Sequence, residues 1–378
     1  MAYTLTTIWY ERGRFFPAVL AVAFSALLIT VQGGLMIGLL AMMSVPVDSS
    51  KADLWVGYPG TQSVDLGIPI PERWENRVAA DPDLTQIESY VIGFSLWTKP
   101  STPGTSPVTE VCTVIGCKLD PNSLGAIQDL RNHPHLLSAL TEPFTVVVDE
   151  SELRRLGIRG LGEKAEIIGR RVRVVGTVKG YKSLAGPYVF CSIETARHLV
   201  RAQSDEVMYI LGKCKPGIDP ATSKAKLDRY PQMTAYTSAE FSHRSRMHWL
   251  TTTKAGVAIG FTAMLGLFVG AVVTSQTLFA ATIASQREYA TMRAMGIPRW
   301  RLQLTVLSQA FWVGLLGILI AIPVTFLLQE AANALGTQVI LHRYVLIVAG
   351  TVTMVMALVS GLAALRSFQG VDPAHNIR

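Results

Sequence analysis

Four long uncharged stretches dominate this sequence, and a region of ordinary polarity, residues 48–254, separates the first from the other three. No Lys, Arg, Asp or Glu occurs within residues 15–47, 255–286, 302–329 or 344–365. Each stretch is longer than the ~20 apolar residues that a helix needs to cross a bilayer. Helices in a soluble core keep a polar face, so these stretches predict an integral membrane protein.

The predicted fold class is a membrane protein with four transmembrane α-helices and a large α+β extracytoplasmic domain between helices 1 and 2. Only 16% of the residues are charged, against about 25% in soluble domains. The predicted segments are an interfacial amphipathic helix over 1–14, transmembrane helix 1 over 15–47, the extracytoplasmic domain over 48–254, transmembrane helix 2 over 255–284, a cytoplasmic loop over 285–301, transmembrane helix 3 over 302–328, an external loop over 329–343, transmembrane helix 4 over 344–365 and a cytoplasmic tail over 366–378.

The distribution of charge predicts the topology. Residues 48–254 contain 25 Lys or Arg against 23 Asp or Glu, so only +2 of the net charge of +7 lies there. The remaining excess lies in the N-terminal segment, the loop between helices 2 and 3, and the C-terminal segment, which the positive-inside rule places in the cytoplasm. The expected location is the plasma (inner) membrane. Because topology accounts for the basic excess, nucleic acid is not an expected partner.

A cleaved signal peptide is the alternative interpretation of the first stretch. Signal peptides have an apolar region of about 7–15 residues, and residues 15–47 form a run about twice that long. A membrane span is therefore favoured.

The extracytoplasmic region is predicted to consist of short strands and short helices in mixed order. Strands are predicted over Thr145–Val148, Arg171–Lys179 and Tyr188–Ser192. A helix is predicted over Glu150–Leu156, capped by Asp149 and closed by a glycine. The fold of residues 54–139 is not predicted as a unit. No phosphate-binding loop, serine-hydrolase elbow or HExxH zinc motif occurs, so no catalytic residue and no metal site is assigned.

All four cysteines, Cys112, Cys117, Cys191 and Cys214, lie in this external region. Disulfides are compatible with an oxidising compartment, and four cysteines allow three pairings that sequence cannot distinguish. Free buried thiols are the alternative, and both stay open.

Glycines at a spacing of four occur twice in the second span, as Gly256 with Gly260 and Gly266 with Gly270. Such pairs allow close approach of helices. They predict a packing face toward another helix, including one from a second copy; general enrichment of glycine in membrane helices is the alternative.

The loop between the second and third spans is the most specific segment, Ser285–Gln303, SQREYATMRAMGIPRWRLQ. Arg287, Glu288, Met292 and Arg293 fit a short helix that Gly296 closes. So short a loop cannot form a domain, but it can serve as a docking surface. A basic anchoring loop is the alternative.

The pattern R-E-x-x-x-x-R-A-x-G, formed by Arg287, Glu288, Arg293, Ala294 and Gly296, resembles the coupling-helix region of the MacB/FtsX/LolC-type ABC transporter permeases. The order of spans, the segment from Val146 to Leu199 and the ending Asp372-Pro373-Ala374 with Arg378 resemble the same family. The length without a fused ATPase resembles the DevC type among the subfamilies.

The resemblance implies a non-catalytic permease subunit that exports a substrate by transmitting the motion of a separate ATPase to the external domain. The implied partners are two copies of an ABC ATPase, a second copy of this chain, membrane lipid and, in some systems, a periplasmic adaptor and an outer-membrane channel. No cofactor is expected in this chain, because ATP and Mg²⁺ would bind the ATPase. The implied ATPase-coupling residues are Arg287, Glu288, Met292, Arg293, Ala294 and Gly296.

Other functions stay open from the sequence. Within the same class, the alternatives are lipoprotein release and regulation of a cell-wall hydrolase. A membrane sensor would need a cytoplasmic signalling domain, and only short loops are predicted there. A membrane enzyme could use His133, His135, His243 or His248, but no carboxylate or cysteine stands at a metal-like spacing from them.

Overall fold

The structure is a computed structural model that describes residues 10, 12–99, 107–284, 291, 295–296, 298–334 and 340–368. Residues 1–9 of the predicted interfacial helix and 369–378 of the predicted tail lie outside the described residues. The described chain divides into two compact units, residues 1–39 with 257–378 and residues 40–256. We call them the membrane unit and the external unit.

The elements follow one another in a simple order along the chain. The helices are α1 Arg12–Met42, α2 Val45–Asp48, α3 Glu75–Ala79, α4 Gln128–Asn132, α5 Pro134–Ala139, α6 Ile193–Val200, α7 Pro220–Leu227, α8 Ser238–Thr252, α9 Lys254–Ala284, α10 Arg299–Ala334 and α11 Arg343–Phe368. The strands are β1 Leu54–Gly57, β2 Ile70–Pro71, β3 Leu84–Lys99, β4 Val108–Cys117, β5 Thr145–Asp149, β6 Lys164–Ile167, β7 Arg170–Val178, β8 Tyr188–Ser192, β9 Glu206–Val207, β10 Tyr209–Cys214 and β11 Thr234–Thr237.

Four of the described helices are long and apolar enough to cross a membrane. Their apolar segments are Phe15–Met42, Gly256–Thr277, Gln303–Ala332 and Arg343–Leu362. Together with the large domain that follows the first of them, they confirm the predicted fold class.

In the membrane unit, α1 packs against α10 and α11. Phe15, Val19 and Val22 of α1 are buried together with Val313 of α10. A Cβ at Gly317 would lie 2.7 Å from Cγ1 of Val22, so the absence of a side chain there allows α1 and α10 to approach closely.

The long strand β3 organises the external unit. Its first half pairs antiparallel with β10, which continues through β1 to β11. Its second half pairs antiparallel with β4, from Val91↔Gly116 to Lys99↔Val108. One strand therefore belongs to two different sheets.

The second of these sheets closes on itself. Its order is β3-β4-β8-β5-β7-β6, and β6 returns to β3 through Trp97↔Ile167 and Thr98↔Glu166. Closure removes the exposed edges that an open sheet would present. Trp97 is fully buried, and its indole N–H donates to the carbonyl oxygen of Leu156 at 3.0 Å.

A buried carboxylate fixes the segment that follows β4. Glu88 accepts hydrogen bonds from the hydroxyl of Ser123 (2.5 Å) and from the backbone N–H groups of Leu124 (2.7 Å), Gly125 (3.3 Å) and Lys118 (3.2 Å). A buried charge is tolerated when such donors replace water. This network fixes Lys118, which is exposed just after β4, and the buried turn at Ser123 and Leu124 that follows it.

Three predicted strands are confirmed as β5, β7 and β8. The predicted helix over Glu150–Leu156 is wrong, because only a 3-10 turn over Glu150–Glu152 forms. The predicted cap is present, since Asp149 accepts from the N–H of Ser151 at 2.9 Å. Gly157 then adopts φ +69°. The segment turns early, so that Leu156 enters the core and accepts from Trp97.

Candidate functional site

The helix α8 connects the last strand of the external unit directly to the second span. Thr237 caps its start by accepting from the N–H of Glu240. Its end is joined to α9 by Thr253 alone. The hydroxyl of Thr253 donates to the carbonyl of Trp249 (2.6 Å) and accepts from the N–H of Gly256 (3.0 Å). We call α8 the connecting helix.

Gly256 lies at the tightest point of this junction. A Cβ there would lie 2.1 Å from the carbonyl oxygen of Trp249 and 2.5 Å from that of Leu250. Backbone atoms cannot rotate away as a flexible side chain can. Gly256 therefore serves the turn between two helices and not a helix–helix packing face.

An ion pair ties the connecting helix to the residues that follow the first span. Nη2 of Arg246 lies 2.6 Å from Oδ2 of Asp48, and its Nε donates to the hydroxyl of Ser44 at 2.7 Å. That hydroxyl donates in turn to Asp48 at 2.7 Å. The segment leaving one span and the segment entering the next are thereby joined within the external unit. We call Ser44, Asp48 and Arg246 the clamp.

The connecting helix is also fixed to the turn at residues 63–65. The hydroxyl of Ser245 accepts from the N–H of Val64 at 3.0 Å, and the indole N–H of Trp249 donates to the hydroxyl of Ser63 at 3.2 Å. Ser63 donates to Oδ1 of Asp65 at 2.6 Å. Two independent sets of polar contacts thus hold the connecting helix in place.

Asp65 is an unusual member of this network, because the residue is only 7% exposed and its carboxyl forms no ion pair with a described residue. Burial raises the pKa of Asp65 above its ordinary 3.8; hydrogen bonding by Ser63 and the charge of His248 oppose this only in part. The fold therefore favours the protonated acid more than the unfolded chain does.

The second glycine pair of the second span faces the first span of the same chain. A Cβ at Gly266 would lie 2.9 Å from Cδ2 of Leu28, and one at Gly270 would lie 3.4 Å from Cβ of Ser25. The hydroxyl of Ser25 donates to the carbonyl of Gly270 (3.1 Å) and accepts from Thr274 (3.0 Å). This face is therefore occupied by α1. Gly260, by contrast, has nothing within 4 Å of a Cβ position.

Most of the predicted coupling residues, Arg287, Glu288, Met292, Arg293 and Ala294, lie outside the described residues. Gly296 is described, and it adopts the left-handed φ of +86° that is common just after a helix. The N–H of Met295 donates to the carbonyl of Thr291 at 3.1 Å, the spacing of one helical turn. The coupling role of all six residues stays a prediction.

All four cysteines are free and buried, so of the two alternatives the structure has the thiols and not the disulfides. Burial raises the pKa of the Cys112 thiol to about 12 and raises those of Cys117 and Cys191 further. The neutral thiol is a poor nucleophile and a poor metal ligand. Among the described residues no group of three or more His, Cys, Asp or Glu could hold a metal ion.

Sequence reasoning missed the clamp and the turn at Asp65. The available signal was position, since Asp48 is the first charged residue after the first span and Arg246 is among the last before the second. Two opposite charges at the two ends of an inserted domain are candidates for a pair. Nothing in the sequence indicated which of the domain's many charges would meet.

Two family models match the chain. The one described as MacB-like periplasmic core domain matches residues 15–230, and the one described as FtsX-like permease C-terminal matches residues 260–372. The first alone covers more than half of the chain. The chain belongs to the MacB/FtsX family of ABC transporter permeases.

Solved structures of domains from two transporters and a putative permease are similar to about half of the chain. The extracellular domain of the noncanonic ABC-type transporter YknZ from Gram-positive bacteria is 10% identical, covering 49% of this chain and 99% of that one, with a TM-score of 0.34. The periplasmic region of MacB from Actinobacillus actinomycetemcomitans is 11% identical, covering 52% and 94%, with a TM-score of 0.36. A domain of a putative permease from Porphyromonas gingivalis is 14% identical, covering 50% and 90%, with a TM-score of 0.31. No curated protein matches.

At these TM-scores the assignment depends on the family models. They make the protein the membrane subunit of an ABC transporter, with an ATPase as its partner and a domain outside the cytoplasm. Permeases of these families are typically non-catalytic. The DevC-type subfamily stays a prediction.

We expect Gly266→Leu to destabilise the protein, because the new side chain overlaps Leu28 on α1. Overpacking of this kind costs about 1–3 kcal/mol. Gly260→Leu is the matched control, since it adds the same side chain to open space on the same helix. The melting temperature of the full chain in detergent would fall for the first variant only. Equal melting temperatures would contradict the packing described.

We expect Asp65→Asn to raise the melting temperature at pH 7. Because the pKa of Asp65 is raised in the folded state, its contribution to stability is complete below the ordinary pKa and is lost as pH rises through the raised one. The gain should therefore shrink as the pH is lowered toward about 4. Asp205→Asn, at an exposed carboxyl, is the control. A gain that does not change with pH would contradict the burial argument.

Proposed function

We propose that this chain is the permease of an exporter in which ATP-driven motion is carried to the external unit instead of opening a pore. Two copies would pair with two copies of a separate ATPase that docks on the loop at residues 285–301. The termini and that loop would lie in the cytoplasm, as the basic residues beside the spans favour. The external unit would act on a substrate that is already outside the cytoplasm or in the outer leaflet.

The clamp is the observation that carries this proposal. The external unit is an insertion between two spans, so the chain joins it to those spans at its two ends. Arg246, Asp48 and Ser44 join those two ends, and the connecting helix continues into α9 with one intervening residue. In this proposal the contacts at the two ends allow displacement to be transmitted, whereas a flexible linker would absorb it.

The composition of the spans favours the same mechanism. Charged residues inside a membrane usually mark a path for ions or substrate, and the apolar stretches of all four spans contain none. Several described polar groups there are occupied within the protein: the hydroxyls of Ser25, Thr274 and Thr325 all form hydrogen bonds to the protein. A polar translocation path is therefore less consistent with this chain than movement of the external unit.

Docking of the ATPase is tested by purification from the native membrane. We expect a P-loop ATPase to co-purify in equal amount with the solubilised full chain. Glu288→Lys or Arg293→Glu should lower the recovery at least tenfold, because each reverses a charge on the predicted docking helix. Arg366→Glu is the control at the predicted cytoplasmic end of α11.

Recovery of the ATPase with both loop variants would contradict the docking role. Recovery of no ATPase with the parent chain would favour a membrane sensor instead. An adaptor in the same preparation would point to export across two membranes.

Transmission through the clamp is tested by charge exchange. We expect Arg246→Asp alone, or Asp48→Arg alone, to reduce the ATP-dependent change in distance between spin labels placed at Leu161 of two copies, while the ATPase still binds. Combining the two substitutions should restore the change, because the pair is re-formed with opposite polarity.

Arg155→Asp is the matched control, since Arg155 pairs with Glu110 elsewhere on the external unit (3.1 Å). If the double variant showed an ATP-dependent distance change no larger than that of the single variants, the result would count against a direct ion-pair role.

A further inference from the structure

The external unit carries an open cleft of about 520 Å³ that the transmission of motion does not use. It lies between the end of β4, the loop before β5 and the first turns of α6. Its size falls within the range of small-molecule sites, roughly 300–1,000 Å³. All residues that line it belong to the external unit and are described.

Three partly exposed apolar side chains form the walls of the cleft. Leu119, Phe144 and Ile193 each pack against the core of the unit on one side and line the cleft on the other. Phe144 adopts a left-handed φ of +59°, which is uncommon for a residue other than glycine. Non-glycine residues keep this conformation only where the surrounding structure holds them in it. Such residues cluster at binding sites.

The polar groups at the base of the cleft are already satisfied. The hydroxyl of Thr195 accepts from the N–H of Phe144 (3.2 Å) and also meets the hydroxyl of Ser192 (2.9 Å). Cys117 is buried there, and its raised pKa keeps it neutral. A ligand body that enters the cleft therefore meets an apolar surface with few free hydrogen-bonding groups.

Two charged side chains, Glu194 and Lys118, lie at the rim of the cleft, and only Glu194 has an ion-pair partner among the described residues. Glu194 pairs with Arg197 at 2.9 Å. Lys118 is exposed and forms no ion pair within the described part of the chain. The nearby carboxylate of Glu88 is held by backbone N–H groups, among them that of Lys118 itself, and not by its ammonium. Among the described residues, Lys118 thus places an unpaired ammonium beside an apolar pocket, whereas Glu194 shares Arg197 with Glu72 (2.6 Å).

We propose that this cleft binds an apolar molecule that carries a carboxylate, with the carboxylate at Lys118 and the apolar part against Leu119, Phe144 and Ile193. The interpretation of this ligand as a class of cargo for the exporter rests on the function proposed above. The same chemistry occurs in the free C-terminus of a peptide that ends in an apolar residue and in a small free acid.

The test is saturation-transfer NMR of the full chain in lipid nanodiscs, with empty nanodiscs subtracted. The probes are 3-phenylpropionate and its amide, and the peptide Ala-Ala-Phe with a free or an amidated C-terminus. We expect saturable binding, with each acid roughly two- to fivefold tighter than its amide, as for a partly exposed ion pair.

Lys118→Met should remove the preference for the acids while retaining weak binding of the amides. Ile193→Glu should abolish binding of both. Lys215→Met, at another exposed lysine, should leave binding unchanged.

Equal affinities for acids and amides in the parent chain, a preference that survives Lys118→Met, or no saturable binding would each overturn the proposal. Stronger binding of the peptide would identify a peptide C-terminus as the source, and stronger binding of 3-phenylpropionate a small free acid. No ATPase is present in this measurement. A negative binding result would therefore not contradict the docking and clamp experiments. Negative docking and clamp experiments would likewise not contradict binding of the acids to the cleft.

Discussion

The pairing of β3 along its whole length is the interaction on which the external unit depends. Its first half is joined to β10 and its second half to β4 and β6. The two sheets are therefore joined by one continuous strand. Trp55 and Trp97, the two largest fully buried side chains, lie in or beside these sheets. The proposed transmission of displacement requires a domain whose parts are joined in this way.

The connecting helix depends on that body for its position. Phe241 is fully buried, stacks on Tyr236 at 4.9 Å and lies against Trp55 at 5.7 Å. Apolar packing anchors this part of the helix, and the polar contacts at Ser245, Arg246 and Trp249 hold the rest. The exposed ion pair in the clamp contributes little to stability by itself. Its importance lies in where it is, between the two chain ends that join the domain to the membrane.

How far the sequence predicted this structure differs from segment to segment. β5, β7 and β8 were predicted, because apolar and polar residues alternate or form short apolar runs that local rules recognise. The helix after β5 was predicted wrongly, because capping and propensity favoured it locally whereas the core required Leu156. The fold of residues 54–139 as a unit was not predicted, since β3 passes between two sheets and its burial pattern changes along its length. The clamp was missed because its partners are 198 positions apart.

The sequence alone determined the four spans and the place of the domain between the first and second. A membrane helix satisfies its backbone hydrogen bonds internally, so apolar composition over one short window is sufficient evidence. Only the tertiary structure decided that Gly266 and Gly270 face α1 while Gly256 serves a turn, that the cysteines are free, and that Arg246 meets Asp48. Each of these outcomes depends on which distant segments come together, and that choice is made by packing over the whole domain and not by local composition.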